Sequence, residues 1–165
     1  MTKATGPNYR VYFRRRREGK TNFAKRLALI KSRKTRMVVR KSNVAITVQF
    51  INFAPPGDQT IVTVSSANLA KLYSWPAKRN VYSAYLTGLY AGKQAQKKQI
   101  SEFVLDLGLY EPTKGSVLFA TLQGAVDAGL KTSFDPEMVP RDKLASPPEK
   151  LKSLFVETKK QILML

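Results

Sequence analysis

Cysteine and histidine are both absent from the 165 residues. Without the first there are no disulfides, thiolate metal sites or cysteine nucleophiles, and without the second there is no imidazole base. Acids are few, 11 against 29 lysines and arginines, which leaves little material for the carboxylate clusters that hold catalytic cations. Long apolar runs are missing too. The longest, Val44 to Phe53, falls far short of the roughly 20 residues needed to span a bilayer, and no apolar stretch of the secretory-leader type follows Met1. These absences lead to the expectation of a soluble intracellular chain with no membrane partner, no cofactor, no metal, no catalytic residue and no small-molecule substrate.

What is present is a core and a charge. Apolar residues make up 43% of the chain, an ordinary globular share that excludes disorder throughout. The formal charge is +18 and the isoelectric point about 10.3, values at which polyanions are the natural partners, nucleic acid first and anionic membrane second. The charge is concentrated at one end. Residues 1–41 hold 15 lysines and arginines against the single acid Glu18, a net of +14, whereas residues 42–165 carry 14 basic and 10 acidic groups, a net of +4. Three segments are therefore expected: a basic arm with a short amphipathic helix over residues 1–35, an α/β core over 36–133, and a Pro-rich linker with a C-terminal helix over 134–165.

Residues 1–17 lack amphipathic periodicity and end in Arg14, Arg15, Arg16 and Arg17, whose mutual repulsion opposes compact structure before a partner binds. With Thr21 as N-cap, Phe23, Ala24, Leu27, Ala28 and Ile30 fall on one helical stripe beside Lys25, Arg26 and Lys31. Met37–Arg40 and Val44–Phe53 read as a hairpin around Ser42 and Asn43, and Pro55 to Asp58 supply a second turn before Ile61–Ser65. A loop holding Trp75 and Pro76 follows. Asn80 then caps a helix to about Lys98 whose Ala84, Gly88, Ala91, Gly92 and Ala95 keep one side small, for packing on a sheet. Glu102–Leu107 is a strand, Gly108–Lys114 a turn, and Ser116 caps a helix that stops at Gly129. The order βββαβα implies an α/β fold with a mixed four-stranded sheet, the last strand parallel to an earlier one because a helix carries the crossover, and helices packed on it. Beyond the prolines 136, 140, 147 and 148, Ser146 and Glu149 have capping-box spacing, and Leu151, Leu154, Phe155, Ile162 and Leu165 form an apolar stripe that must dock.

The N-terminal segment interleaves Tyr9, Tyr12, Phe13 and Phe23 with Arg10, Arg14 to Arg17, Lys20, Lys25 and Arg26. Cations neutralise phosphates, rings stack on bases, and arginine does both through its planar fork. A merely solubilising tail has no need of the aromatics. The same track continues through Arg33, Lys34, Arg36, Arg40 and Lys41, and Arg36 and Arg40 share one strand face that serves as a platform for RNA or for the basic helix, or else is simply solvated. The turn Pro112 to Ser116, ahead of a helix, offers backbone N–H groups to an anion, with an RNA phosphate favoured over a small molecule since phosphate-loop spacing is lacking. Glu102, Asp106 and Asp127 raise a metal-dependent nuclease as an alternative. Glu102 and Asp106 share a strand face, but such enzymes need three or four converging acids, and Asp127 near the end of its helix is expected at the surface or in a local hydrogen bond.

Tyr9-Arg10-Val11 with Arg14 to Thr21, Val38 to Ser42, Ala84-Tyr85-Leu86 with Gly88-Leu89, Leu105-Asp106 with Gly108-Leu109, Pro112-Thr113, Gly115-Ser116, Phe119-Ala120, Gly124-Ala125 and Asp127-Ala128-Gly129 occur in an order that resembles the ribosomal large-subunit protein eighteen family in its archaeal form. The resemblance implies a cytoplasmic, ribosomal, structural protein that binds 5S rRNA, contacts 23S rRNA and sits in the central protuberance beside a second 5S-binding ribosomal protein. The family's RNA-binding arm maps onto Tyr9, Arg10, Arg14 to Arg17, Lys20 and Thr21, its strand contacts onto Arg40, Lys41 and Ser42, and a further turn onto Thr113, Lys114 and Ser116. Ahead of the long helix, Lys78 and Arg79 stand where archaeal relatives carry a Gly-His-Arg-Gly turn, and are expected to substitute for it. General binding of chromatin-type DNA is the alternative.

Overall fold

A computed structural model describes residues 6–76 and 79–165. Its centre is a sheet built from β1 (Thr35–Lys41), β2 (Ile46–Asn52), β3 (Gln59–Ser65) and β4 (Phe103–Asp106), in the spatial order β3-β2-β1-β4. The two N-terminal elements are α1 (Arg14–Arg17) and α2 (Phe23–Lys31); α3 (Ser66–Tyr73) and α4 (Val81–Lys97) separate β3 from β4, and α5 (Val117–Asp127), a 3-10 turn Pro136–Met138, α6 (Arg141–Ala145) and α7 (Glu149–Leu163) complete the chain. The expected mixed sheet is present: β1 and β2 are antiparallel with Val39 opposite Val48, and β4 runs parallel to β1 with Leu105 beside Met37.

Period-two alternation gives the sheet two unlike faces. Met37, Val39, Ile46, Val48, Phe50, Val62, Val64 and Phe103 are buried against α4 and α5, each large side chain contributing roughly 1.5–3 kcal/mol by leaving water. Arg36, Val38, Arg40, Thr47, Gln49 and Asp106 occupy the other. Val44 and Phe53, read as strand ends, lie outside β2 and are exposed; at the first of them the Ser42 hydroxyl accepts from the Val44 and Ala45 N–H groups and bends that segment into the turn.

The small side of α4 is split between two neighbours. Ala84, Ala91 and Ala95 join the core over the sheet, but Gly88 and Gly92 lie against α5, where a Cβ on Gly88 would strike the Thr121 carbonyl and one on Gly124 the Tyr85 carbonyl. Helix-on-helix contact, and not only helix-on-sheet contact, is what these glycines serve. A second core forms where α3 and α7 cover the opposite side of α4: Leu69, Trp75, Tyr85, Leu86, Leu89, Phe155 and Ile162 are buried together. Trp75, fully enclosed, donates from its indole nitrogen to the Ser83 hydroxyl at 2.7 Å.

Four local expectations need correction. Asn22, not Thr21, caps α2, accepting from the Lys25 N–H at 3.0 Å, while the Thr21 hydroxyl accepts from Arg15. The segment after β3 is not all loop: Ser65 caps α3, an eight-residue helix too short to show a periodic stripe. Ser146 and Glu149 make no capping box, since Pro148 keeps the residue before it out of helical geometry and α7 starts only at Glu149. Ser116 holds the N-cap position of α5 but makes no capping bond.

Candidate nucleic-acid interface

Residues 6–20 are exposed throughout. The run Arg14 to Arg17 closes one helical turn on the Phe13 carbonyl, held by Glu18, which pairs with Arg14 at 3.8 Å and Lys20 at 2.8 Å. Successive residues on a helix point about 100° apart, so the four guanidiniums radiate instead of forming one row. Arg16 sits over the Tyr12 ring with 4.7 Å to its centroid, and Arg15 donates from Nε to the Thr21 hydroxyl at 2.8 Å. Tyr9 and Arg10 lie on exposed chain before this turn.

The helix α2 buries none of its residues, and its Arg26 reaches Asp58 in the turn between β2 and β3. Phe23 and Leu27, predicted for an apolar stripe, remain 40% and 53% exposed. Between α2 and the loop after β4 opens a concavity of about 750 Å³, lined by Arg15, Lys20, Thr21, Lys25, Arg26 and Arg40 with Asp106, Gly108 and Tyr110. Six residues chosen from the sequence thus converge on one surface, which Leu29, Leu105 and Leu107 also line.

Behind that surface lies an ionic ladder. Arg26 Nη2 donates to Asp58 Oδ2 at 2.8 Å, and Arg36 Nη2 donates to the same oxygen at 2.6 Å. Arg36 Nη1 reaches Asp106 Oδ2 at 3.2 Å; Arg40 Nη2 reaches Asp106 Oδ1 at 3.1 Å, and the Gly108 N–H donates to that same oxygen at 2.8 Å. Arg36, expected to face RNA, is corrected to a buried structural cation, 3% exposed with both terminal nitrogens paired. Arg40 keeps a side chain that is 43% exposed.

The remaining residues spread around this centre. Lys41 and Ser42 are exposed at the β1–β2 turn, where the Tyr110 hydroxyl donates to the Lys41 carbonyl and the Lys41 ammonium lies 5.0 Å from the Tyr110 ring centroid. Arg79 reaches the Ser42 carbonyl at 3.4 Å; Lys78 lies outside the described residues. Arg33, exposed, has a left-handed backbone with φ 55°, and Lys34 pairs with Glu102 at 2.7 Å, a hydrogen bond and charge that hold the Glu102 carboxyl below its ordinary range. The Thr113 to Ser116 turn is not brought into the concavity's lining. Lys114 is paired with Glu137, the Gly115 N–H donates to the Met138 carbonyl, and the buried Ser116 hydroxyl has no partner among the described residues.

The three acids weighed as a nuclease centre have separate partners: Glu102 has Lys34, Asp106 has two arginines, and Asp127 accepts from the Tyr85 hydroxyl and the Gln123 amide. Among the described residues no group of acids is placed to hold a metal ion, and no helix is long and apolar enough to cross a membrane. Asp58 and Tyr110 were not singled out from the sequence. Asp58 sits in a Pro-Pro-Gly-Asp turn, where an aspartate has an ordinary local explanation, and Tyr110 stands alone in a loop.

A mixed four-stranded α/β sheet with an exposed cationic arm and a concavity lined by cations defines a basic α/β protein with a candidate surface for polyanions. Comparison with known proteins names the family. Residues 7–102 match the model described as ribosomal large subunit proteins 60S L5 and 50S L18. The chain is 49% identical over 138 residues to the large ribosomal subunit protein uL18 of Korarchaeum cryptofilum, covering 83% of this chain and 70% of that one. It is 51% identical over 137 residues to the protein of that name from Haloarcula marismortui, covering 82% and 73%. The chain belongs to the uL18 family of large-subunit ribosomal proteins. It is accordingly a structural constituent of the cytoplasmic ribosome and not an enzyme.

Proposed function

We propose that this chain binds 5S rRNA and helps attach it to 23S rRNA in the central protuberance of the large subunit, beside a second 5S-binding ribosomal protein. The observation that carries the reading is the exposure of residues 6–20, which leaves Arg10 and Arg14 to Arg17 open to solvent, while Arg15 and Lys20 also line the cation-bearing concavity. Arg10, Arg14 to Arg17, Lys20, Lys25 and Arg26 engage phosphates, Tyr9 and Tyr12 engage bases, and Arg40, Lys41, Ser42 and Arg79 extend the surface along the end of the sheet. An arginine-rich, aromatic-bearing arm suits folded RNA with unstacked bases better than a uniform duplex.

The test is a competition binding assay with 5S rRNA, tRNA and duplex DNA at one fixed salt concentration. The expected outcome is that 5S rRNA displaces the others at comparable length and charge. A ranking by charge alone would make the chain a general polyanion binder of the chromatin type.

A further inference from the structure

We infer that Asp58, an acid in the turn between β2 and β3, is a positioning residue for RNA binding: it ties the arm helix α2 to the sheet through Arg26 and so fixes the direction in which the arm leaves the fold. The inference rests on the arm being the RNA-binding element. Among the described residues, the Arg26–Asp58 pair is the one side-chain hydrogen bond or ion pair that joins α2 to the sheet, and α2 buries no residue of its own. Apolar burial therefore holds the helix weakly. Asp58 is itself anchored, because its Oδ2 also receives Arg36 at 2.6 Å, and Arg36 is 3% exposed and bound in turn to Asp106 of β4. The carboxylate thus stands between a buried guanidinium and a partly exposed guanidinium on the arm helix. Just before the N-terminus of that helix, Thr21 receives Arg15 of α1, so the arginine run is tied to the start of α2 and α2 is tied to Asp58. On charge alone, an acid beside an RNA surface opposes binding. Its geometry supplies what charge does not, an arm held in one direction before RNA arrives, which reduces the ordering cost of association.

Two kinds of RNA separate these effects. Asp58→Asn raises the net charge by one, so binding to poly(U), which asks only for cations, should stay level or tighten. Binding to 5S rRNA should weaken about threefold to tenfold, as expected when a preorganised element must be ordered on binding. Asp58→Glu, which keeps the charge, should recover part of the loss. Hydrogen exchange of the amides of residues 23–31 should quicken in Asp58→Asn while those of β1 and β2 hold. If 5S rRNA binds the variant as tightly as the parent, or tighter in step with poly(U), or if exchange in α2 is unchanged, Asp58 does not position the arm. Should Asp58→Asn unfold the sheet by stranding Arg36, Arg26→Gln and Lys25→Gln replace it, since each removes one charge from α2 and Arg26 alone is paired with Asp58. A greater loss of 5S affinity in Arg26→Gln, with equal losses on poly(U), supports the inference; equal losses on both overturn it. An arm stripped of Arg14 to Arg17 that still binds 5S rRNA normally would instead remove the underlying reading, whatever Asp58 does.

Discussion

Four consecutive arginines on one helical turn cannot all face the same strand of RNA, and this shapes what each contributes. Arg14 leans on Glu18, Arg15 is bound to Thr21 and Arg16 covers Tyr12. Each phosphate contact adds about 0.7 to 0.9 to the slope of log affinity against log salt, so replacing Arg14 to Arg17 with alanine should lower that slope for 5S rRNA by at most roughly 3, together with the affinity. A salt series of binding isotherms measures both. Tyr9→Ala should instead cost on the order of 1 to 3 kcal/mol with the slope nearly unchanged, because stacking releases no counterions. If the four-arginine variant keeps both affinity and slope, the RNA surface must be sought around Arg40 and Lys41. Away from the arm, Tyr85 shows the reverse economy of charge. Burial first, then its hydrogen bond to Asp127, push its hydroxyl well above the ordinary value of 10.0. A raised phenol contributes stability that is complete below the unfolded value and is lost as pH rises past it. Melting temperature should therefore fall as pH climbs above 10, and Tyr85→Phe should flatten that alkaline limb.

At the scale of elements, close approach of two helices is the feature most sensitive to a single methyl group. Gly88 and Gly124 let the backbones of α4 and α5 touch, and the atoms a Cβ would meet are main-chain carbonyls that cannot swing aside. Gly88→Ala should destabilise the fold by about 2 to 3 kcal/mol, an overpacking cost, seen as a lower denaturation midpoint. Gly57→Ala, in a turn with nothing within 4 Å of the added carbon, should leave it unchanged. The small residues of α4 were legible in the sequence; which of them face α5 was not, because Gly88 and Gly92 fall beside Ala84, Ala91 and Ala95 on overlapping helical stripes. Likewise α3 escaped notice because Ser66–Tyr73 buries only Ser66 and Leu69, too few positions to make a period visible.

For the whole molecule, the two ends of the chain relate differently to the core. Residues 6–34 contribute exposed charge and a helix with no buried residue, whereas α7 seals a second core with Phe155 against Trp75, Tyr82 and Tyr85. Removing residues 1–34 should preserve a cooperative melt by circular dichroism while abolishing 5S rRNA binding. Phe155→Ala should cost about 3 to 5 kcal/mol by opening a cavity in the second core. Loss of cooperative unfolding in the truncated chain would show that α2 is part of the core after all.

The amino-acid sequence by itself determined the distribution of charge, the strand alternation of Ile46, Val48 and Phe50, the Asn80 cap that accepts from the Ser83 N–H at 2.6 Å, and the left-handed Gly129 with φ 104° after α5. It also determined that β4 would run parallel to an earlier strand, because a helix must carry the chain back across the sheet. Apart from the crossover, these are local rules, set by hydrogen bonds and burial within a few residues. Only the tertiary structure decided which charges are buried. Arg36 and Arg40 have the same strand periodicity and the same side-chain chemistry, yet one is sealed between Asp58 and Asp106 and the other opens to solvent. Their partners lie 22, 66 and 70 residues away, and the register of three strands, not any spacing along the chain, brings those carboxylates to the arginines.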